Sequence, residues 1–175
     1  MAKTCLNKLT GNILQNCVIA PVGIKEIYLM YPEDVTLAYN ANNTFVTTVT
    51  FSGAAKSYKV EGYKQNIQLT TSLRALDASS KLDVSISFKM RHTERDAWRF
   101  LLAGRFYVMA VYNDSSSQGV FIGASSPLEV TAADFDSNAG AGLVTITLGA
   151  PEGSAGNYIL TPSDTAKNTI ISKSV

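Results

Sequence analysis

The clearest pattern of hydrophobic and polar positions lies in the middle of the chain. Apolar and polar residues alternate without a break along Leu82–Met90, which is the period of a strand with one buried and one wet face. The period then changes, because Thr93 is a suitable N-cap, apolar residues recur at helical spacing, and Gly104 is placed to end a helix. The run Phe106–Tyr112 returns to a strand pattern. The centre therefore predicts a strand, a short helix at about residues 93–103 and a second strand.

Other segments carry the strand signal of β-branched and aromatic residues. They are Ile24–Met30, Val35–Tyr39, Thr44–Phe51, Ala54–Tyr63, Val120–Ile122, Leu128–Thr131 and Leu143–Leu148. Because Ser52 and Gly53 have the residue types of a tight turn, residues 44–63 are predicted to form one long hairpin. Its threonines make one side polar, and we expect its exposed edge to need covering, charging or pairing.

These elements predict a mainly β fold, either a β-sandwich or a partly closed barrel, with one short flanking α-helix. The β domain is predicted to span residues 25–150. Residues 1–24 are interpreted as an extended N-terminal arm that docks on the chain's own core or on a neighbouring subunit. Residues 151–175 are rich in Gly, Ser, Thr, Asn and Pro and predict a C-terminal arm with little that could form a core.

Length, the fraction of charged residues and net charge limit the classes of protein to which this chain can belong. The 175 residues fit one domain with arms, and only 17% are charged, below the roughly 25% of typical soluble domains. Such a chain is expected to hide surface against neighbours, although a Thr- and Ser-rich β domain gives the same composition. The net charge of +1 argues against a dedicated nucleic-acid binder.

The distribution of apolar residues along the chain indicates where the protein folds. No apolar run is long enough for a membrane span, and the N-terminus has no apolar signal core, so we expect folding in a cytoplasm. There, Cys5 and Cys17 are expected to stay reduced and to pack as small apolar residues.

The sequence shows no catalytic constellation. His92 is the one histidine and has no convergent Cys, Asp or Glu at ligand spacing, so a surface or capping role is expected. Asp134 and Asp136 lack the pattern of a calcium loop. We therefore expect no enzyme, no cofactor and no metal.

Arginines cluster around the predicted helix at positions 91, 95, 99 and 105. Such a cluster is typical of a solvated or ion-paired helix face. It also fits a contact to a neighbouring subunit, because Arg is favoured at interfaces. Both interpretations stay open at this point.

Three stretches carry a resemblance to a known group of proteins: AKTCLNKLTGNILQNC, YKVEGYKQN and GRFYVMAVYNDSSSQGVFIGASSPLEVTAADFDSNAGAGLVTITL. With them, most of residues 2–150 resembles small virion proteins of phages that infect Bacteroidetes, including crAss-like phages. Several of that group are tail-tube or tail-hub components. Pro127 stands where such relatives often have Gly before Leu-Glu, so the local turn is expected to differ.

The resemblance implies a ring, usually of six subunits or a multiple of six, whose hairpins join edge to edge around a DNA channel. The implied partners are copies of the chain, neighbouring portal, connector or tail proteins, and genomic DNA that passes without sequence-specific binding. The implied location is the virion tail, after assembly in the host cytoplasm. We expect the subunit contacts to involve the predicted hairpin and helix, at Phe45, Val49, Phe51, Tyr58, Arg95 and Arg99.

A second hypothesis is a binding module of the sandwich type, either a capsid decoration protein or a carbohydrate-binding domain. A sugar-binding sandwich exposes coplanar aromatic rings, and the chain has 8 tyrosines that could supply them. Most of these tyrosines lie in predicted strands, where packing explains them equally well.

Overall fold

The structure, a computed structural model, describes residues 23–61, 66–76, 79–91, 95–113, 118–135, 142–151 and 159–175. Residues 1–22 of the predicted N-terminal arm, both cysteines, Thr93 and His92 lie outside these ranges, whereas Ile24, at the end of that predicted arm, begins β1. The helices and strands follow in chain order: β1 Ile24–Met30, β2 Val35–Tyr39, β3 Phe45–Phe51, β4 Tyr58–Glu61, β5 Gln68–Leu76, β6 Ser79–Arg91, α1 Arg95–Ala103, β7 Arg105–Tyr112, β8 Gly119–Ile122, β9 Leu128–Phe135, β10 Leu143–Gly149, β11 Thr161–Pro162 and α2 Asp164–Ser172.

Most strands belong to one large antiparallel sheet with the order β4-β1-β7-β9-β10-β6-β5, and β8 also pairs with β7. The sheet curls without closing into a barrel. One isolated bridge, between Ile24 and Ile67, joins the start of β1 to the residue just before β5. The prediction of a mainly β, sandwich-like fold is therefore confirmed, with an open sheet.

A small second sheet has the order β11-β3-β2 and lies over one face of β1, β7 and β8. Helix α2 packs beside it, with Ala166 and Ile170 fully buried. The two layers are joined where Leu160 exchanges main-chain hydrogen bonds with Phe121 of β8.

Strands β1 and β7 are buried on both faces, which explains their almost continuous apolar sequences. On one face, Ile27 and Leu29 of β1 join a core inside the curled sheet. On the other, Tyr28 and Met30 join a second core beneath the small sheet and α2. These two strands are thus the shared wall of both cores.

The predicted hairpin over residues 44–63 is wrong. The chain does turn at Gly53, which has a positive φ of 54°. However, β3 pairs with β2, and β4 pairs with β1 in the large sheet. The turn therefore crosses between layers instead of closing a hairpin, because β4 completes the edge of β1 while β3 covers the second core.

The C-terminal segment also differs from the predicted arm. Residues 159–175 form β11 and α2, and Leu160, Ala166 and Ile170 fill the second core. The chain therefore has two helices in its described part, where one was predicted. The predicted helix at about 93–103 is observed as α1, Arg95–Ala103.

Candidate inter-subunit surface

The large sheet has an open seam between β4 and the last part of β6. On β6, the ladder to β5 stops at Ser87, while the ladder to β10 continues to Arg91. On β4, one edge pairs with β1, and a single bridge joins the preceding Ser57 to Ser174. Within the described ranges, no other ladder occupies these two edges. Two strand edges therefore face each other across a gap.

A cavity of about 660 Å³ fills this gap; we call it the seam groove. Its floor consists of buried core residues, and its walls come from the two seam strands, from α1 and from the end of the chain. The lining residues are Leu29, Tyr31, Tyr58, Lys59, Val60, Glu61, Phe88, Met90, Phe100, Leu101, Phe106 and Val175. Apart from Lys59, Glu61 and the two tyrosine hydroxyls, this lining is apolar.

Aromatic rings define the shape of the seam groove. Tyr31 stands edge-on to Tyr58, with ring centroids 5.9 Å apart, and also contacts Phe106 at 5.2 Å. Helix α1 directs Leu101 into the core and leaves Phe100 66% exposed above the groove. Covering an exposed Phe and the apolar groove beside it with another apolar surface lowers the free energy, so this region favours a partner.

A row of charged groups follows β1 and β4 beside the groove. The Lys59 ammonium lies 3.0 Å from a Glu26 carboxylate oxygen and 2.8 Å from a Glu61 carboxylate oxygen. The Tyr28 hydroxyl donates to the second oxygen of Glu26 at 2.9 Å. The register explains the row, because it places Tyr28 opposite Lys59 and Glu26 opposite Glu61.

These contacts shift the pKa values of the row. Burial by itself raises the pKa of Glu26, but hydrogen bonds from Lys59 and Tyr28 and the charge of Lys59 outweigh it, and the pKa falls below its usual value. Burial, and then the hydrogen bond to Glu26, raise the pKa of Tyr28 to about 12. The hydrogen bonds to Glu61 and Glu26 raise the pKa of Lys59. At neutral pH, Glu26 and Lys59 are therefore both charged while Tyr28 keeps its proton, and their contacts hold β4 on β1.

The second feature of this surface is the β5–β6 hairpin. β10 pairs with β6 only from Ser85 onward, so Ser79–Val84 and their β5 partners extend beyond that strand. Val84 is still buried in the first core and Leu82 packs on it, so β6 lies beyond the core over Ser79–Lys81, or roughly 10 Å at 3.4 Å per residue. Leu73, which pairs with Leu82, is 70% exposed. The hairpin thus leaves an apolar residue exposed.

Three of the predicted subunit contacts lie on β3, where they are buried or half-buried. Val49 is 2% exposed and belongs to the second core, so it faces its own chain. Phe51 is half-buried and packs on that core. Phe45 is also half-buried, and its strand pairs there with β11 at Thr161. The three predicted contact residues on β3 therefore make most of their contacts within their own subunit.

The other predicted contact residues lie nearer the seam groove. Tyr58 is 46% exposed and lines the groove directly. Arg99 is exposed on α1, and Arg95 begins that helix. The structure thus brings Tyr58 and α1 to one surface and separates them from β3.

The sequence itself indicates a turn at Asp77–Lys81, between a mixed strand signal that begins at residue 64 and the strand Leu82–Met90. The pairing of β5 with β6 agrees with that signal, although β6 already begins at Ser79. Sequence reasoning missed the seam. The seam depends on where two distant strands stop pairing, and no local pattern reports it.

Comparisons with protein-family models, with curated proteins and with solved structures found no match. In the described part of the chain, no three His, Cys, Asp or Glu side chains gather as a metal site would require. Neither described helix has the length and apolar character needed to cross a bilayer.

Proposed function

We propose that the protein is a structural protein of a phage virion, and that its copies form a ring of the tail tube or tail hub around the DNA channel. The observation that carries this proposal is the open seam, in which two strand edges without a ladder partner among the described residues border an apolar groove. The sequence resemblance to virion proteins of Bacteroidetes-infecting phages supports the same role.

Unpaired strand edges are sites at which another chain adds a strand, and proteins normally cover or charge them. The seam is only partly protected, since the charged row lies beside β4 while Tyr58 and Phe100 leave apolar surface exposed. Association in a closed ring removes such edges. Association between copies would therefore pair these edges and cover the apolar surface.

The role in the ring is passive, without catalysis or a cofactor. The exposed threonines of the small sheet, at positions 36, 48 and 50, are polar and uncharged. A channel lined by such residues attracts phosphate only weakly and lets DNA pass without sequence-specific contacts. Portal, connector and other tail proteins are the proposed neighbours of the ring in the virion.

Mass photometry and negative-stain electron microscopy of the purified full chain test the proposal. We expect ring-shaped particles with a central opening, whose mass is six subunits or a multiple of six, in equilibrium with free subunits. A chain that stays monomeric from nanomolar to hundreds of micromolar concentration contradicts the proposal.

One observation favours a second candidate, a carbohydrate-binding module. A cleft of about 620 Å³ lies between the β2–β3 turn and the loop after β8. It is lined by one tyrosine with amides and hydroxyls and has no charged side chain: Tyr39, Asn42, Asn43, Thr44, Ala124, Ser125, Ile159 and Leu160. Aromatic faces with neutral polar groups suit a sugar ring.

A glycan array separates the two candidates. The carbohydrate module requires that a monomer binds a glycan and that Tyr39→Ala abolishes binding, because the ring face is lost. Thr36→Ala, an exposed change on the same strand outside the cleft, is the matched control. Rings without glycan binding favour the first candidate.

A further inference from the structure

We propose that the β5–β6 hairpin of one copy seats in the seam groove of the next copy, so that subunits contact each other head to tail. This inference rests on the proposed function, because it needs self-association, and it adds the two surfaces that meet. The strand register, the exposed Leu73 and the apolar seam groove carry it.

The register places the two surfaces at opposite ends of the subunit. β1 runs from Ile24 to Met30, and β4 lies antiparallel to it with Tyr58 opposite Leu29. Ile67 lies opposite Ile24, also antiparallel, so β5 continues away beyond the start of β1. The seam groove lies toward the other end, where Leu29 and Tyr31 line it.

A hairpin therefore cannot enter the groove of its own chain. The two ends of β1 are separated by 7 residues, or about 20 Å, and the hairpin runs in the opposite direction. The occupant must come from another copy. A hairpin at one end and a groove at the other form a heterologous contact, which repeats around a ring or along a stack.

The chemistry of the two surfaces is complementary. Leu73 is the exposed apolar residue of the hairpin, since its cross-strand partner Leu82 packs against the first core of its own subunit. The seam groove offers Phe100, Val60 and Met90. Covering a mostly exposed Leu with such residues favours association. The outer edge of β5, unladdered within its described residues, can exchange main-chain hydrogen bonds with the edge of β4.

Size and charge agree with this seating. Beyond Leu82 the hairpin continues for about 10 Å, and the four residues of β4 present an edge of about 13 Å. Arg74 and Lys81 are basic residues at paired positions of the hairpin backbone. The row beside the groove has two carboxylates, of Glu26 and Glu61, for the one ammonium of Lys59. The two surfaces therefore differ in the sign of their charge.

Photo-cross-linking identifies the occupant directly. We would place p-benzoylphenylalanine at position 100, in the groove, and as the matched control at position 135, an exposed Phe on β9 outside it. Mixing isotopically light and heavy subunits before irradiation distinguishes contacts between copies. We expect light–heavy cross-links from position 100 to residues 68–84, and none to those residues from position 135.

Other cross-link patterns overturn the inference. Cross-links from position 100 to residues 1–22, to another surface, or only within one copy show a different occupant or none. If the wild-type chain forms rings but gives such a pattern, the proposed function stands and this inference fails. If the wild-type chain forms no rings, the proposed function fails with it.

A pair of variants measures the contribution of the hairpin. Leu73→Lys puts a charge on its apolar face, whereas Ser72→Lys puts the same charge on the opposite, exposed face. We expect Leu73→Lys to raise the concentration for half-assembly by about tenfold or more, and Ser72→Lys by less than about threefold. Equal effects of the two variants contradict the seating of this face in the groove.

Discussion

The two sides of the large sheet differ in how completely they are covered. Around β1 and β7, both faces are buried, and the small sheet and α2 cover the second face. At the seam, as far as the described segments go, β4 and the end of β6 each keep one edge without a ladder, and β5 and β6 extend beyond β10 as a hairpin. The covered side explains why the chain folds. The open side is the surface through which we propose that copies associate after folding.

The comparison makes a prediction about where stability resides. Substitutions on the covered side are expected to lower the free energy of unfolding of the subunit. Substitutions on the open side are expected to leave that energy nearly unchanged and to alter association. Four variants test the division, and each is measured by urea denaturation under conditions where the chain is monomeric.

The largest effect is expected at Ile170, a residue of α2 that is fully buried in the second core. Ile170→Ala leaves a cavity and should lower the free energy of unfolding by about 2–5 kcal/mol. Thr165→Ala, an exposed change on the same helix, is the control and should stay within about 0.5 kcal/mol. Equal stabilities of the two variants would mean that α2 is not part of the core.

The next effect is expected at Glu26, where the covered side meets the open seam. Glu26→Gln removes the buried charge that Lys59 and Tyr28 share, leaves Lys59 with Glu61 alone, and should cost about 2 kcal/mol. Glu61→Gln removes the more exposed partner of Lys59 and should cost less than about 1 kcal/mol. If Glu61→Gln destabilises the protein more than Glu26→Gln, the contact between Lys59 and Glu61 holds β4 more strongly than the contact between Lys59 and Glu26.

The same carboxylate gives a dependence on pH. Because the folded pKa of Glu26 lies below its ordinary value of 4.5, the ionised form is favoured in the native state. Its contribution is complete above the unfolded value and is lost as the pH falls through the lower folded value. The stability difference between wild type and Glu26→Gln should therefore shrink with falling pH below about 4.5. A difference that is constant down to pH 2 contradicts the lowered pKa.

A smaller effect is expected at Ser163, the N-cap of α2. Its hydroxyl accepts from the Ala166 N–H at 2.9 Å and donates to the Thr47 carbonyl oxygen at 2.6 Å, which ties the helix to β3. Ser163→Ala should cost about 1 kcal/mol. Ser163→Asp keeps the cap but loses the donor to Thr47, and should fall between wild type and Ser163→Ala. If Ser163→Ala is as stable as wild type, the cap contributes nothing.

The smallest effect on unfolding is expected at Leu73, on the projecting hairpin. Since this side chain is 70% exposed, Leu73→Ser should change the free energy of unfolding of the monomer by less than about 0.5 kcal/mol. Its effect should appear in assembly instead. A loss of 2 kcal/mol or more would show that Leu73 packs within its own subunit, and the division between the two sides would fail there.

The covered side was largely predictable from the sequence. Alternation along β6 and β10 and the apolar runs of β1 and β7 are local signals, and they indicated the right elements. The capping pattern before α2 was also present, since Ser163 is followed by Asp164 in the first turn. It was missed because only Ala166 and Ile170 of that helix are buried, which gives a weak apolar period.

The open side was much less predictable, because it depends on pairings between distant segments. Ser52 and Gly53 do form a turn, yet the strands on either side of it join different sheets. Sequence reasoning placed Val49 at a subunit contact for this reason, and it is a core residue. Tyr58 was singled out through the same wrong hairpin and nevertheless lines the seam groove.

Hydrogen–deuterium exchange at low and high protein concentration tests the central claim most directly. The account predicts that the amides on the open edges of β4 and β5, which make no ladder bonds among the described residues, exchange quickly in dilute protein and become protected as the chain assembles. Amides of β1 and β7 should be protected at both concentrations. Protection of these edge amides that is already complete in dilute monomer, or that does not rise with assembly, contradicts the account.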